Sequence, residues 1–333
     1  NPKELGRAFG FWGAAAAAGG TAGVFLGGVV TEWLDWPWTF FINVPFGIAV
    51  LLLTGVLLPA VQAARGRIGL LDATLVTAAI GIAVFAMVTA EAGDLLRLTT
   101  LLLLAAAAGF MAAFLVLQSR RAAPLLPLRL FRAPGLSSGN LIMALLGAAW
   151  IPLWFFLNLY LQEVLGLGAL ESGLALVPMT LLIMILMVWA AGPVIGRFGR
   201  KAPMVLGLLL LASSLFLLAR LGGEPASYWT DVLPATLIAA VGMSLVYIPT
   251  TMTAMSGARA EDAGLASGLV NTTYQAGSAL GLAVVVAVAA GGAGGGGAYG
   301  AAFLTAAAIA LVAAGAAATL LPGRTRARTI AAE

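Results

Sequence analysis

Ten apolar runs, each long enough to cross a lipid bilayer, divide this chain, and the cations between them sort onto one face. The runs fall near 8–30, 39–59, 71–91, 98–118, 136–161, 171–195, 203–221, 230–253, 264–290 and 299–321. About 20 apolar residues make a helix that spans the ~30 Å hydrocarbon core. If the chain crosses at every run, only Arg97 and Arg220 of its 17 Lys and Arg residues fall on one side, and all the others fall on the opposite side. Cytoplasmic loops are enriched in Lys and Arg, and that bias sets orientation. A wrong number of crossings would scramble the sorting. The asymmetry therefore supports the topology and predicts a multi-pass protein of the cell membrane with both termini cytoplasmic.

Composition narrows the chemistry. The chain of 333 residues is 62% hydrophobic and 9% charged, against about 25% charged residues in a soluble domain. The fold class expected is an all-α polytopic membrane protein. The net charge of +4 is spread over short loops. It does not form the basic stripe with interleaved aromatics that binds nucleic acid, so the partner expected is the lipid bilayer and not a nucleic acid. There is no Cys and no His, which removes thiolate and imidazole metal sites, thiol nucleophiles and Ser-His-Asp triads. No catalytic residue, metal or cofactor is expected, and the chain is not read as an enzyme. A membrane-embedded transferase would need paired carboxylates or a metal at the membrane surface. Asp72 is isolated, and Glu261-Asp262 has no second acidic partner. Asp72 is instead expected as a helix N-cap, and Glu163 as a helix-end carboxylate in an outer vestibule.

Small residues recur at helical spacing in two runs. Gly19, Gly23 and Gly27 lie four apart in the first, followed by Gly28. Gly264 and Gly268, then Gly277 and Gly281, do so in the ninth. Such spacing lets two backbones approach closely in lipid. Clustered glycines in corresponding positions of two halves are also a mark of secondary transporters built from repeats.

The residues around these glycines carry a resemblance. Gly19 through Gly28 resembles GxxxGPxxGG, the antiporter motif on the fifth helix of the major facilitator superfamily, with Val24 where the motif has proline. Trp36-Pro37-Trp38-Thr39-Phe40-Phe41-Ile42-Asn43-Val44-Pro45-Phe46-Gly47 looks like the WRWxFxINxPxG stretch of the fourteen-helix drug:proton antiporter branch, with Pro37 in place of arginine. Pro124 through Leu128 with Phe131-Arg132 is similar to the branch's linker. Tyr160 through Gly166 is similar to its YLQxVxG segment, and Gly173 through Pro178 to GxxxxP. Gly192 through Lys201 is similar to the second copy of the family's basic cytoplasmic loop. Ala263 through Gly268, with Asn271 and Gln275, resembles AGxASGxxNxxxQ.

The resemblance implies that the chain runs from family helix five to helix fourteen, about ten helices. It implies the end of an N-terminal bundle in 1–64, two extra linker helices in 65–121 and a six-helix C-terminal bundle in 122–333. The opening at Asn1 without a methionine leads us to expect that an N-terminal part is missing. The implied function is secondary active multidrug efflux: export of hydrophobic or cationic compounds by proton antiport with alternating access, and hence antibiotic resistance. The proton-sensing carboxylate is expected on the family's first helix, outside this chain. The alternatives are a small-metabolite uptake carrier and a truncated, non-transporting remnant. In the last case the Gly264–Gly281 face would be left against lipid, for want of a helix of the absent group.

A central cavity should be lined by polar or aromatic residues inside apolar helices. The candidates are Trp154 and Asn158 in the fifth run, Tyr247 in the eighth, and Asn271, Tyr274 and Gln275 in the ninth. Asn271 and Gln275 share a helix face with Gly264 and Gly268. Membrane Asn and Gln serve equally as glue between helices, and Trp154 and its neighbour Trp150 as packing or as a cation–π surface. In the loop Gly192, Arg197, Gly199, Arg200, Lys201, two readings stand: a topology anchor, or a gating clamp against acidic residues or helix ends of the facing bundle.

Overall fold

A computed structural model of the chain describes residues 15, 19–20, 22–23, 25–35, 37–57, 69–89, 97–121, 124, 135–222, 227–259, 262–291 and 296–321. Val24, Trp36, most of the 122–134 linker and the loop cations Lys3, Arg7, Arg65, Arg67, Arg129 and Arg132 lie outside these residues. Among the described residues no element is a β-strand. In hydrocarbon an unpaired backbone N–H or C=O costs several kcal/mol, and a helix pairs its own.

In chain order the helices are α1 (Phe25–Leu34), α2 (Trp38–Phe41), α3 (Asn43–Leu57), α4 (Leu70–Val88), α5 (Leu98–Arg120), α6 (Leu136–Leu159), α7 (Ala169–Trp189), α8 (Ala191–Phe198), α9 (Lys201–Ala219), α10 (Leu233–Ala254), α11 (Ala263–Gly291) and α12 (Gly296–Leu320). A π-helical turn, Tyr160–Val164, prolongs α6, and another, Tyr228–Val232, leads into α10. Nine segments of the described residues are long and apolar enough to span a membrane, and they match the second to tenth runs. The first run lies partly outside the described residues, and α1 carries its helix on to Leu34, past the expected end.

From α6 onward the helices form a bundle in which the predicted alternation of ends holds. At one end Arg200 donates to the Met252 carbonyl of α10 at 3.3 Å, and Lys201 donates to the Leu321 carbonyl beyond α12 at 2.8 Å. At the other end the Tyr160 hydroxyl donates to the Leu221 carbonyl at 3.3 Å, and Tyr228 to the Ala175 carbonyl of α7 at 2.7 Å. The first of these is called the basic end below.

Backbone contact at small residues holds the bundle together. A methyl group on Gly277 or Gly281 of α11 would overlap Ala144 or Ala148 of α6. Gly207 of α9 and Gly242 of α10 meet in the same way: a Cβ on either would stand 2.6–2.7 Å from the other's carbonyl oxygen. Gly264 and Gly268, in contrast, are exposed with nothing within 4 Å of a Cβ. The expectation that Gly264–Gly281 forms one face awaiting an outside helix is thereby corrected. Nine residues separate Gly268 from Gly277. That is two and a half turns of helix, so the two glycine pairs lie on opposite sides of α11. One pair packs inside the bundle and the other is open.

The pair α4–α5 is built differently. Asp72, Ala79 and Ala86 are buried on α4, and Thr100, Ala107 and Phe114 on α5. The seven-residue spacing is that of a coiled-coil seam. Arg121 falls seven beyond Phe114 and closes the seam with an ion pair to Asp72 at 2.7 Å. The expectation that Asp72 caps α4 is also corrected. Gly69 is the cap residue, and Asp72 is the third residue of the helix. It lies at the positive end of the helix dipole, which favours a carboxylate. Along this hairpin α4 also rests on α11. Helix α3 has no buried residue on any side.

Candidate functional site

An apolar helix that lines a cavity or pathway exposes polar side chains along that face. Helix α11 does this along one strip: Gly264, Ser267, Gly268, Asn271, Thr272 and Gln275 are all exposed. Asn271 and Gln275 follow Gly264 and Gly268 by seven residues each and so continue the open face. Beside the strip, Tyr274 is half-buried against Tyr247 of α10, edge to face, with ring centroids 6.1 Å apart. The structure thus joins four of the six candidates in one patch, a tyrosine pair flanked by two carboxamides. Aromatic faces attract organic cations, and carboxamides supply both a donor and an acceptor.

The other two candidates lie elsewhere. Gly147 of α6 stands level with Tyr274, so Trp154 is about two turns, ~10 Å, further from the basic end. Its ring packs edge-on to Trp150, centroids 6.2 Å apart, which is the packing role. Asn158 accepts from the Gln162 side chain at 2.8 Å, and Gln162 also donates to Ser172 of α7 at 3.2 Å. That network ties α6 to α7. Its Ser172 partner had no signal in the sequence, being an ordinary serine in the first turn of a helix.

Asn140, buried on α6, shows what a gluing carboxamide looks like. Its amide donates to the Leu136 and Ala254 carbonyls at 2.8 and 3.4 Å, and its oxygen accepts from Thr273 at 2.7 Å. Three helices meet on one side chain. Asn271 and Gln275 are exposed where Asn140 is buried.

The glycines of the first run also divide. A Cβ on Gly28 would stand 2.9 Å from the Ala169 carbonyl, so α1 touches the start of α7, at the end remote from the basic loops. Gly19, Gly23 and Gly27 have nothing within 4 Å of a Cβ. Only Gly28 of this motif touches another helix among the described residues.

In the basic loop, Arg200 and Lys201 act on helix ends, but on those of α10 and α12 in their own bundle. A cation at a helix C-terminus compensates the negative end of the dipole and takes up an unpaired carbonyl. Both contacts therefore lie within their own bundle. Arg197 lies over the Phe198 ring, 5.5 Å from its centroid. Gly199 has φ +76°, a conformation that costs glycine little and other residues more. It makes the sharp turn from α8 into α9. Gly192 is exposed on α8 with open space around it. Among the described residues no group of His, Cys, Asp or Glu is placed to hold a metal ion.

Residues 1–282 match the family model of the Major Facilitator Superfamily. The chain is 36% identical over 286 residues to the tetracenomycin C resistance and export protein of Streptomyces glaucescens, an alignment covering 85% of this chain and 53% of that protein. It is 36% identical over 277 residues to a cephamycin export protein of Amycolatopsis lactamdurans, covering 82% of this chain and 57% of the relative. Against a multidrug resistance protein of Mycobacterium tuberculosis it is 30% identical over 287 residues, with 85% and 52% covered. The chain spans about half the length of these relatives.

Proposed function

The chain belongs to the Major Facilitator Superfamily, and from that premise we propose that it serves secondary active efflux of hydrophobic or cationic small molecules, with protons as the counter-ion. Export and resistance in the names of its relatives support this reading. The observation that carries it in this chain is the strip of α11: Asn271 and Gln275 open at bilayer depth, beside the Tyr247–Tyr274 pair. An apolar cation can lie on the aromatic faces while the carboxamides orient its polar groups. The strip begins at Gly264, near the basic end, which the cation bias assigns to the cytoplasm of a cell-membrane protein. In this reading α1–α3 belong to one bundle (1–64), α4–α5 to the linker (65–121), and α6–α12 to the second bundle (122–333). Rocking one bundle against the other would present the strip first to one side and then to the other, as alternating access requires.

Proton exchange is assigned to no described residue. The one buried carboxylate among them, Asp72, is held by Arg121.

The test is dye transport by the full gene product in everted vesicles. Acidifying the lumen should drive accumulation of a lipophilic cationic dye, and a protonophore should abolish it. Tyr274→Ala and Gln275→Ala should each slow accumulation several-fold at unchanged protein level. Transport indifferent to both substitutions would remove the strip from the pathway, and transport indifferent to the protonophore would remove proton coupling.

A further inference from the structure

A second place on the molecule combines apolar walls with charge. At the end remote from the basic loops, α6, α11 and α12 border an open cleft of about 380 Å³, within the range of small-molecule sites. Phe155 and Leu159 of α6, Val286 and Ala290 of α11 and Tyr299 of α12 form its walls, and Glu163 is its one charged member. The π-helical turn Tyr160–Val164 brings the carboxylate there. It is closed by a bond from the Leu165 amide to the Tyr160 carbonyl, five residues back, at 3.2 Å. A turn of this width re-aims the side chains within it and is frequent at functional sites. Across the cleft the Tyr299 hydroxyl donates to Glu163 Oε2 at 2.5 Å. The ring of Tyr299 is held edge-on by Phe156 and Tyr160, at 6.4 and 5.5 Å. Tyrosine satisfies one carboxylate oxygen and brings no positive charge. Among the described residues the ion pair Arg121–Asp72 lies elsewhere, and no Lys or Arg pairs with Glu163. Glu163 is exposed at this cleft, with aromatic and aliphatic groups beside it, so a cation with an apolar body would meet both the charge and the walls.

We propose that this cleft binds a lipophilic organic cation, with Glu163 as its counter-charge and the Phe155 and Tyr299 rings as its aromatic walls. It is separate from the tyrosine pair, because Val286 lies ~16 Å along α11 from Gln275. It does not rest on the transport reading, since binding here is defined whether or not the protein moves anything.

The chain has no cysteine, so an introduced one is a unique label. In phosphatidylglycerol vesicles, tetraphenylphosphonium should slow maleimide labelling of Ala290→Cys at least fivefold. It should leave labelling of Ala202→Cys, exposed at the basic end, unchanged. The protection should vanish with Glu163→Gln and persist with Glu163→Asp, at an unaltered thermal midpoint in both. Neutral triphenylphosphine oxide should not protect. Equal protection in Glu163→Gln, protection by the neutral probe, or no protection at all would overturn the proposal. So would protection lost when phosphatidylethanolamine is included, since that would give the cleft to a lipid amine.

Discussion

Helix α3 and helix α6 read alike in the sequence, as apolar runs with leucine, isoleucine, alanine and glycine and a proline inside, yet the structure treats them oppositely. Two thirds of the α6 segment is buried inside the molecule and none of the α3 segment is. Apolarity sends both into the bilayer and does no more, because lipid tails are as apolar as leucine and give helices no reason to associate. What distinguishes α6 is a short set of contacts. Ala144 and Ala148 admit the α11 backbone at Gly277 and Gly281, Gly139 admits α10 at Ala254, and Asn140 bonds across to α10 and α11. Helix α3 has Gly47 and Gly55, each with nothing within 4 Å, and its Asn43 and Thr54 bond only to carbonyls three or four residues back. Spanning a membrane and packing within it are therefore separate instructions, written in different residues.

The most direct way to break this contrast is to fill a glycine. Gly277→Leu should wedge α6 from α11 and cost about 3 kcal/mol, read as a large drop in thermal midpoint in detergent. Gly268→Leu, on the opposite side of the same helix, should leave the midpoint in place, and an equal loss from both would end the distinction. Next comes the α4–α5 seam. Arg121→Gln strands the buried Asp72 charge and should loosen the hairpin by about 2–3 kcal/mol, at the low end for a broken pair because Arg121 is partly in solvent. Adding Asp72→Asn should restore most of the loss, measured as protease protection of the hairpin. Asn140→Ala should cost about 1 kcal/mol of bundle stability, seen as a small midpoint shift. Leu53→Ala in α3 should stay within about 0.5 kcal/mol. A larger effect there would mean that α3 has a packing partner.

The spans and the fold class were legible because length and apolarity are local properties. The order of ends was legible because charge sorting adds up over many loops. The contacts were legible only where one helix carries the whole signal, as with Gly277 and Gly281. Gly207 and Gly242 gave no sign, since each stands alone in its run and the pairing exists only between helices. The link from Asp72 to Arg121 was missed for a related reason: the seven-residue spacing is present on both helices, but Ala79, Ala86 and Ala107 hide it in a chain this rich in alanine. At the candidate site, Asn271, Tyr274 and Gln275 were visible as polar interruptions of an apolar run. Their separation from Trp154 and Asn158 depends on depth along two parallel helices, which no single run contains. Glu163 was placed at the correct end, but its Tyr299 partner lies 136 residues away.

The touch between Gly28 and Ala169 has a mechanical corollary. Hydrogen is the one substituent that fits between these backbones, since a Cβ at position 28 would stand 2.9 Å from the Ala169 carbonyl oxygen. Any larger residue there would push α1 off the first turn of α7, so a single atom sets how near the two helices can lie.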